Sequence, residues 1–248
     1  MSGTKANSVG MLSKIAQVIR NPQLLRDYMI GKSHQLHETL YAVSDSNALA
    51  GTDAKRPFLF VDAGSNQGQG IRWFSRHFTP ETFEYALFEP NPNCLTALQK
   101  ITEQLGGRAT LYPVGVGTRN EKVPFYGLYE TEGGALSEGG SVNANHNAEW
   151  YSTNVEKAVT VELIDFAAYL QEQAARYEKI VVKMDIEGAE KDVLEHLLRT
   201  GTHKLIDILY IEFHAVFLPP DMRGAERARE KIITRKLRAD GVKVRVWH

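Results

Sequence analysis

One stretch constrains this chain more than any other: Phe58 to Gly70 reads F-L-F-V-D-A-G-S-N-Q-G-Q-G. Phe58-Leu59-Phe60-Val61 is apolar on both faces and too short for a helix, which suits a strand buried in a parallel sheet. The run stops at Asp62. Gly64, Gly68 and Gly70 then allow a turn in which backbone can approach a ligand closely, and Ile71, Phe74 and Phe78 fall at helical spacing. The stretch predicts a strand, a loop and a helix whose junction can bind a ligand, although glycine turns of this kind also occur for structural reasons alone.

Charge narrows the ligand. A dinucleotide fingerprint would read G-x-G-x-x-G, its second glycine letting the backbone meet a pyrophosphate. Here Asn66 holds that place, and Asp62 would set a carboxylate beside the phosphates. S-adenosylmethionine lacks phosphates and carries a sulfonium and an ammonium, so an acidic loop suits it.

The chain's 248 residues suit one α/β domain, 51–248, behind an N-terminal helical extension, 1–50, in which Leu12, Ile15, Ile19, Leu24 and Leu25 have helical spacing. A net charge of -1 lacks the basic excess of a general nucleic-acid binder. Cys94 is the only cysteine, which excludes an internal disulfide and a Cys-rich zinc site and makes a reducing cytoplasm the expected location. No apolar run approaches the roughly 20 residues of a spanning helix, so no transmembrane segment is expected.

Ser44 to Arg56 reads as a polar link into the first strand. Tyr85 to Phe88 is a second buried strand ending at Glu89, where a carboxylate can accept hydrogen bonds from ribose hydroxyls. Thr110 to Val116 reads as the third strand, with Val116 against an adenine. Lys122 to Tyr129 and Ala158 to Phe166 read as an inserted β-hairpin around Glu130 to Asn154, a polar, glycine-rich loop. A loop of that length suggests a lid over a polar acceptor, with His146 and Trp150 among its contacts. Asp165 caps a helix. Lys179 to Met184 is the fourth strand and Leu205 to Ile211 the fifth, followed by a basic helix and an outer strand, Val242 to His248.

Lys183 to Glu190, K-M-D-I-E-G-A-E, resembles the K-x-D-x-E-G-x-E block of the FkbM-type methyltransferases. Asp62 to Gly68 is similar to that family's D-x-G-A-N-x-G, with Ser65 in place of alanine; Phe88-Glu89-Pro90 resembles its F-E-P, and Glu212-Phe213-His214 its E-x-H. The resemblance implies a Rossmann-like class I methyltransferase fold, with a mostly parallel sheet and helices on both faces. It also implies methyl transfer from S-adenosylmethionine, commonly to an oxygen of a sugar or natural product.

Parallel strands bring their C-terminal ends to one edge, where ligands bind at the reversal of strand order. That edge gathers Asp62, Gly64, Ser65, Asn66, Gly68, Glu89, Val116 and Asp185 as the cofactor set. His214 is the expected base, a neutral imidazole near pH 7, with Asp185 positioning donor or acceptor. Glu187 and Glu212 are assigned to the acceptor and Glu190 to the helix start. Asp185, Glu187, Glu212 and His214 could also hold Mg²⁺ or Mn²⁺, but a metal beside a sulfonium joins two positive centres, so a metal-free site is expected. The expected partner is a small-molecule or glycan acceptor, not nucleic acid, and homo-oligomerisation stays open. Two other readings remain: a non-catalytic nucleoside-binding or scaffold protein, and an NAD-dependent oxidoreductase.

Overall fold

The computed structural model describes residues 22–127, 140–145 and 158–247, with side chains from residue 32 onward. At its centre lies β1 (Phe58–Ala63), buried along its whole length as an apolar run on both faces requires. It pairs in parallel with β2 (Phe83–Phe88) on one side and β7 (Lys179–Met184) on the other. Beyond β2 lies β3 (Ala109–Tyr112), and beyond β7 lie β8 (Ile208–Ile211) and β9 (Lys243–Val246). The order β3-β2-β1-β7-β8-β9 is that of a doubly wound Rossmann-like sheet, and all its pairings are parallel.

Helices cover both faces. On one face α2 (Gln69–Phe74) sets the Phe74 ring 5.0 Å from Phe60 and 4.8 Å from Tyr210. On the other, α4 (Phe166–Ala174), α5 (Glu190–Thr200) and α6 (Pro220–Ala239) bring Leu170, Leu194, Leu197 and Leu237 into one cluster with Leu59, Val61, Val182 and Leu209. Asp165 caps α4 as expected, accepting from the amides of Ala167 and Ala168. α3 (Leu95–Gln104) follows β2, and the turn before it is closed by the Asn91 side chain accepting from the Asn93 amide.

Two expected elements differ. Thr110 to Val116 is not one strand: β3 ends at Tyr112, and β4 (Gly115–Gly117) belongs to a second sheet of order β4-β6-β5. Pro113 lies at the break, and a proline cannot donate to a ladder. The inserted hairpin forms as β5 (Glu121–Phe125) antiparallel to β6 (Val159–Asp165), but β6 also pairs in parallel with β4. The far edge is a single parallel strand, β9, bonded to β8.

The other difference is at the N-terminal side. α1 (Pro22–Ala50) continues into the first part of the segment read as a link and ends there. Residues up to Ser44 and from Asp45 onward are separate compact units. Asp45, fully buried, opens the second, its carboxylate accepting from Tyr210 at 2.9 Å, Arg245 at 2.9 and 3.0 Å and Lys243 at 3.1 Å. Burial alone would raise its pKa, but Arg245, Tyr210 and Lys243 outweigh that and hold it below the usual carboxylate range.

Asp45→Ala strands the buried Tyr210 hydroxyl and is expected to lower stability at pH 7 by roughly 1–3 kcal/mol in urea unfolding. A depressed folded pKa means that Asp45's contribution is complete above the ordinary carboxylate range and is lost as pH falls through the folded value. The gap between wild type and variant should therefore close in acid.

Candidate active site

Strand register builds the site. Ala63 pairs with Phe88 and Met184, and Met184 with Ile211, so the last paired residues of four strands lie in one row. The residues that follow them are Gly64, Glu89, Asp185 and Glu212. Gly64, Glu89 and Asp185 line a cleft whose empty space, counted out to its open mouth, is about 610 Å³. The second sheet supplies the opposite wall through Val116, Phe125 and Leu163.

The β1–α2 loop is held by tight backbone contacts. Gly64 has φ +80°, and a Cβ there would lie 1.7 Å from the Asp185 carbonyl oxygen. The glycine therefore lets the β1 and β7 loops touch. Asn66 also has positive φ, 48°, and its amide donates to Glu89 Oε2 at 2.6 Å. Glu89 Oε1 accepts from the Asn91 amide at 2.8 Å, so each carboxylate oxygen still has a lone pair for a hydroxyl. Burial pushes the Glu89 carboxyl up to about 7, against the pull of the Asn91 and Asn66 amides. The folded protein thus keeps a proton that the unfolded chain has already released, and this contribution to stability is lost as pH rises through 7.

Asp62, Ser65 and Gly68 were expected among the cofactor contacts, yet they lie behind the cleft wall. Asp62 faces Lys183 across the β1–β7 register, and its fully buried Oδ1 sits 3.2 Å from the Lys183 Nζ. Ser65 is buried, with its Oγ donating to the Asp62 carbonyl. Gly68 begins α2 with φ +83°, where a Cβ would meet Ile101 at 2.1 Å. All three shape the loop from beneath. Val116 does line the cleft, from the second sheet.

Lys183 was missed, although a lysine within K-I-V-V-K-M is a sequence signal that a buried strand carries a charge needing partners. Its ammonium donates to the Gly64 carbonyl at 2.6 Å and lies 3.3 Å from Asp185 Oδ2. Burial opposes its charge, but Asp185 and Asp62 prevail and raise its pKa above the usual lysine range.

The β7–α5 loop forms the other end. Glu187 lines the cleft with φ +53°. Glu190, assigned to the helix start, is the first residue of α5; it is also fully buried and accepts from the Ile186 and Gly188 amides and from His214 Nδ1 at 2.8 Å. His214 Nε2 lies 3.4 Å from Asp185 Oδ1 and 3.5 Å from Glu187 Oε2. Burial would lower the imidazole's pKa, but its bond to Glu190 and the charges of Glu190, Glu187 and Asp185 push it up to about 10. This corrects the neutral-imidazole expectation: three carboxylates hold His214 protonated at neutral pH, where it has no lone pair to act as a base. The Glu212 carboxyl is pushed up to about 7, first by burial and then by Asp185.

Of the segment read as a lid, Gly140, Asn143 and Asn145 are among the described residues; His146 and Trp150 lie outside them. Ser141, which no sequence signal marked, donates through Oγ to the Glu187 carbonyl at 2.6 Å and bridges to Tyr126. It ties the end of β5 to the loop of Asp185 and Glu187.

The methyltransferase FkbM domain matches residues 62–229, well over half of the chain. The chain belongs to the FkbM methyltransferase family. Among solved structures, methyltransferase FkbM from Methylobacillus flagellatus KT is similar at 16% identity and a TM-score of 0.42, over 71% of this chain and 37% of that one. This chain therefore spans well under half of that protein's length. No curated protein matches. Among the described residues no helix is long and apolar enough to cross a membrane. In this FkbM domain the family block Lys183 to Glu190 combines the buried lysine, the cleft carboxylates and the histidine-binding glutamate in one turn.

Gly64 and Gly106 both have positive φ, but nothing lies within 4 Å of a Cβ at Gly106. Gly106→Ala should cost only the roughly 1–2 kcal/mol of left-handed backbone. Gly64→Ala should cost well beyond that, because the Asp185 backbone must move. Paired thermal unfolding of the two variants checks the difference.

Proposed function

We propose that this chain is an S-adenosylmethionine-dependent methyltransferase that methylates a hydroxyl oxygen of a sugar, glycan or natural product. The observation that carries the reading is the charge of the cleft. Its described lining includes Glu89, Asp185 and Glu187 and no lysine or arginine. Beyond the ribose a diphosphate would meet Asp185 and Glu187 there, whereas a sulfonium and an ammonium meet the opposite charge. The residues therefore fit S-adenosylmethionine better than NAD.

Glu89 would hold the ribose hydroxyls with the lone pairs left by Asn66 and Asn91, and Val116 would lie against the adenine. When bound, the cofactor supplies an electrophilic methyl group on sulfur. Asp185, next to the buried ammonium of Lys183, fixes the reacting end of the cleft. With His214 protonated, the carboxylates able to take a hydroxyl's proton are those on the cleft wall, Asp185 and Glu187. A scaffold protein would have no use for this acidic end, so a non-catalytic reading is less well supported.

S-adenosylhomocysteine should raise the melting temperature and NAD should not; the reverse result would refute the cofactor assignment. Glu89→Ala should weaken S-adenosylhomocysteine binding by roughly 1.5–3 kcal/mol in calorimetry. Since the ribose needs the ionised carboxylate, affinity should be level at high pH and fall, by up to about tenfold per unit, below the Glu89 pKa of about 7. Glu89→Gln should remove that pH dependence.

A further inference from the structure

We propose that Asp185, Glu212 and His214 form a divalent-cation site, for Mn²⁺ before Mg²⁺, beside the reacting end of the cleft. Its existence stands on the geometry alone; its role in catalysis rests on the methyltransferase reading above.

One ligand atom from each of the three residues lies within 4.8 Å of the others. Ligands about 2.1 Å from one six-coordinate ion are about 3 Å apart when adjacent and about 4.2 Å when opposite. Closing the set therefore needs only small side-chain movements, and His214 Nε2 with Asp185 Oδ1, 3.4 Å apart, is nearly closed already. Two carboxylates and an imidazole without a thiolate suit a hard to borderline cation, which on binding displaces the Nε2 proton of His214 to solvent.

Two observations outside the ligand set point the same way. The His214 ring is fixed through Nδ1 by Glu190, itself anchored on two backbone amides, which directs Nε2 towards Asp185. Metal-binding histidines are oriented by a carboxylate on their other nitrogen in this manner. The second observation is charge. Asp62 and Asp185 flank the Lys183 ammonium, Asp185, Glu187 and Glu190 surround the His214 imidazole, and the fully buried Glu190 keeps one oxygen, Oε2, that accepts no hydrogen bond. Buried carboxylates in such excess need a counter-charge. A dipositive ion, Lys183 and the five carboxylates of Asp62, Asp185, Glu187, Glu190 and Glu212 sum to two negative charges, so the ion would not make the region repel a sulfonium. That removes the electrostatic objection raised from sequence.

Three protein ligands leave about three positions for acceptor oxygens or water. The ion would orient the acceptor and lower its hydroxyl pKa, and Glu187, outside the ligand set, takes the released proton.

The test is a Mn²⁺ titration of the full chain, with S-adenosylhomocysteine present, followed by the electron paramagnetic resonance of the free ion. Wild type should bind one Mn²⁺ per chain. Glu212→Gln and His214→Ala should each weaken binding roughly tenfold or more, with S-adenosylhomocysteine affinity unchanged in calorimetry. Should a variant not fold, Mn²⁺ should still broaden the His214 ring resonances of wild type. No Mn²⁺ bound by wild type, equal binding by folded variants, or unbroadened His214 resonances would each overturn the site. S-adenosylhomocysteine binding without Mn²⁺ binding sinks the cation site alone, while Mn²⁺ binding at these residues without S-adenosylhomocysteine binding upholds it and sinks the methyltransferase reading.

Discussion

The buried ammonium of Lys183 is the contact on which the site depends. It reaches the Gly64 carbonyl, Asp62 and Asp185, and so joins the loop after β1 to the loop after β7. Taking Lys183 and Asp62 out of water costs several kcal/mol per ion, and their attraction offsets this only while all partners stay in place. Removing one partner of such a pair typically costs about 3–5 kcal/mol. Two loops far apart in sequence are thus locked in one arrangement. The lock also keeps Asp185 beside a fixed positive charge at the cleft.

Backbone conformation concentrates its unusual values at the same place. Gly64, Asn66, Glu187 and Gly188 all have positive φ, and among the described residues Asn66 and Glu187 are the non-glycines that do. Left-handed conformations in side-chain-bearing residues persist where surrounding contacts enforce them, and they gather at functional sites. Here the enforcing contacts are visible. The Asn66 amide is drawn to Glu89, and the Glu187 carbonyl receives the Ser141 hydroxyl. Each strained residue is fixed by a partner on another element. The two ends of the cleft, at Asn66 and Glu89 and at Glu187, are therefore held by contacts within the fold itself.

The carboxylates divide into two kinds. Glu89 and Glu212 are raised to about 7 chiefly because burial disfavours their charge. Glu190, though fully buried, is lowered because the His214 bond and the Gly188 amide outweigh its burial. Partner geometry, more than depth, decides which acid is ionised. The same geometry turns His214 from a prospective base into a cation, or into a ligand when an ion takes its Nε2.

Much of this protein was legible in its residues. Apolar runs located β1, β2, β7 and β8, because a strand covered on both faces is mostly apolar, while Asp62 and Lys183, charged within β1 and β7, are buried as a pair. The four motifs located the row Gly64, Glu89, Asp185 and Glu212, since parallel strands put their C-terminal ends on one edge. Sequence could not show which way a side chain faces across a register: Asp62 turns to Lys183 beneath the sheet edge while its neighbour's loop lines the cleft. Nor could it show that Glu190 reaches His214, that Ser141 ties the second sheet to Glu187, or that Asp45 pairs with Tyr210 and Arg245. Those pairings join residues far apart in the chain, and only the packed fold brings them within hydrogen-bond distance. Local pattern therefore determined the elements and the sheet edge at which the cleft lies. Tertiary packing decided the charge states, because these depend on what burial removes and which distant partner restores it.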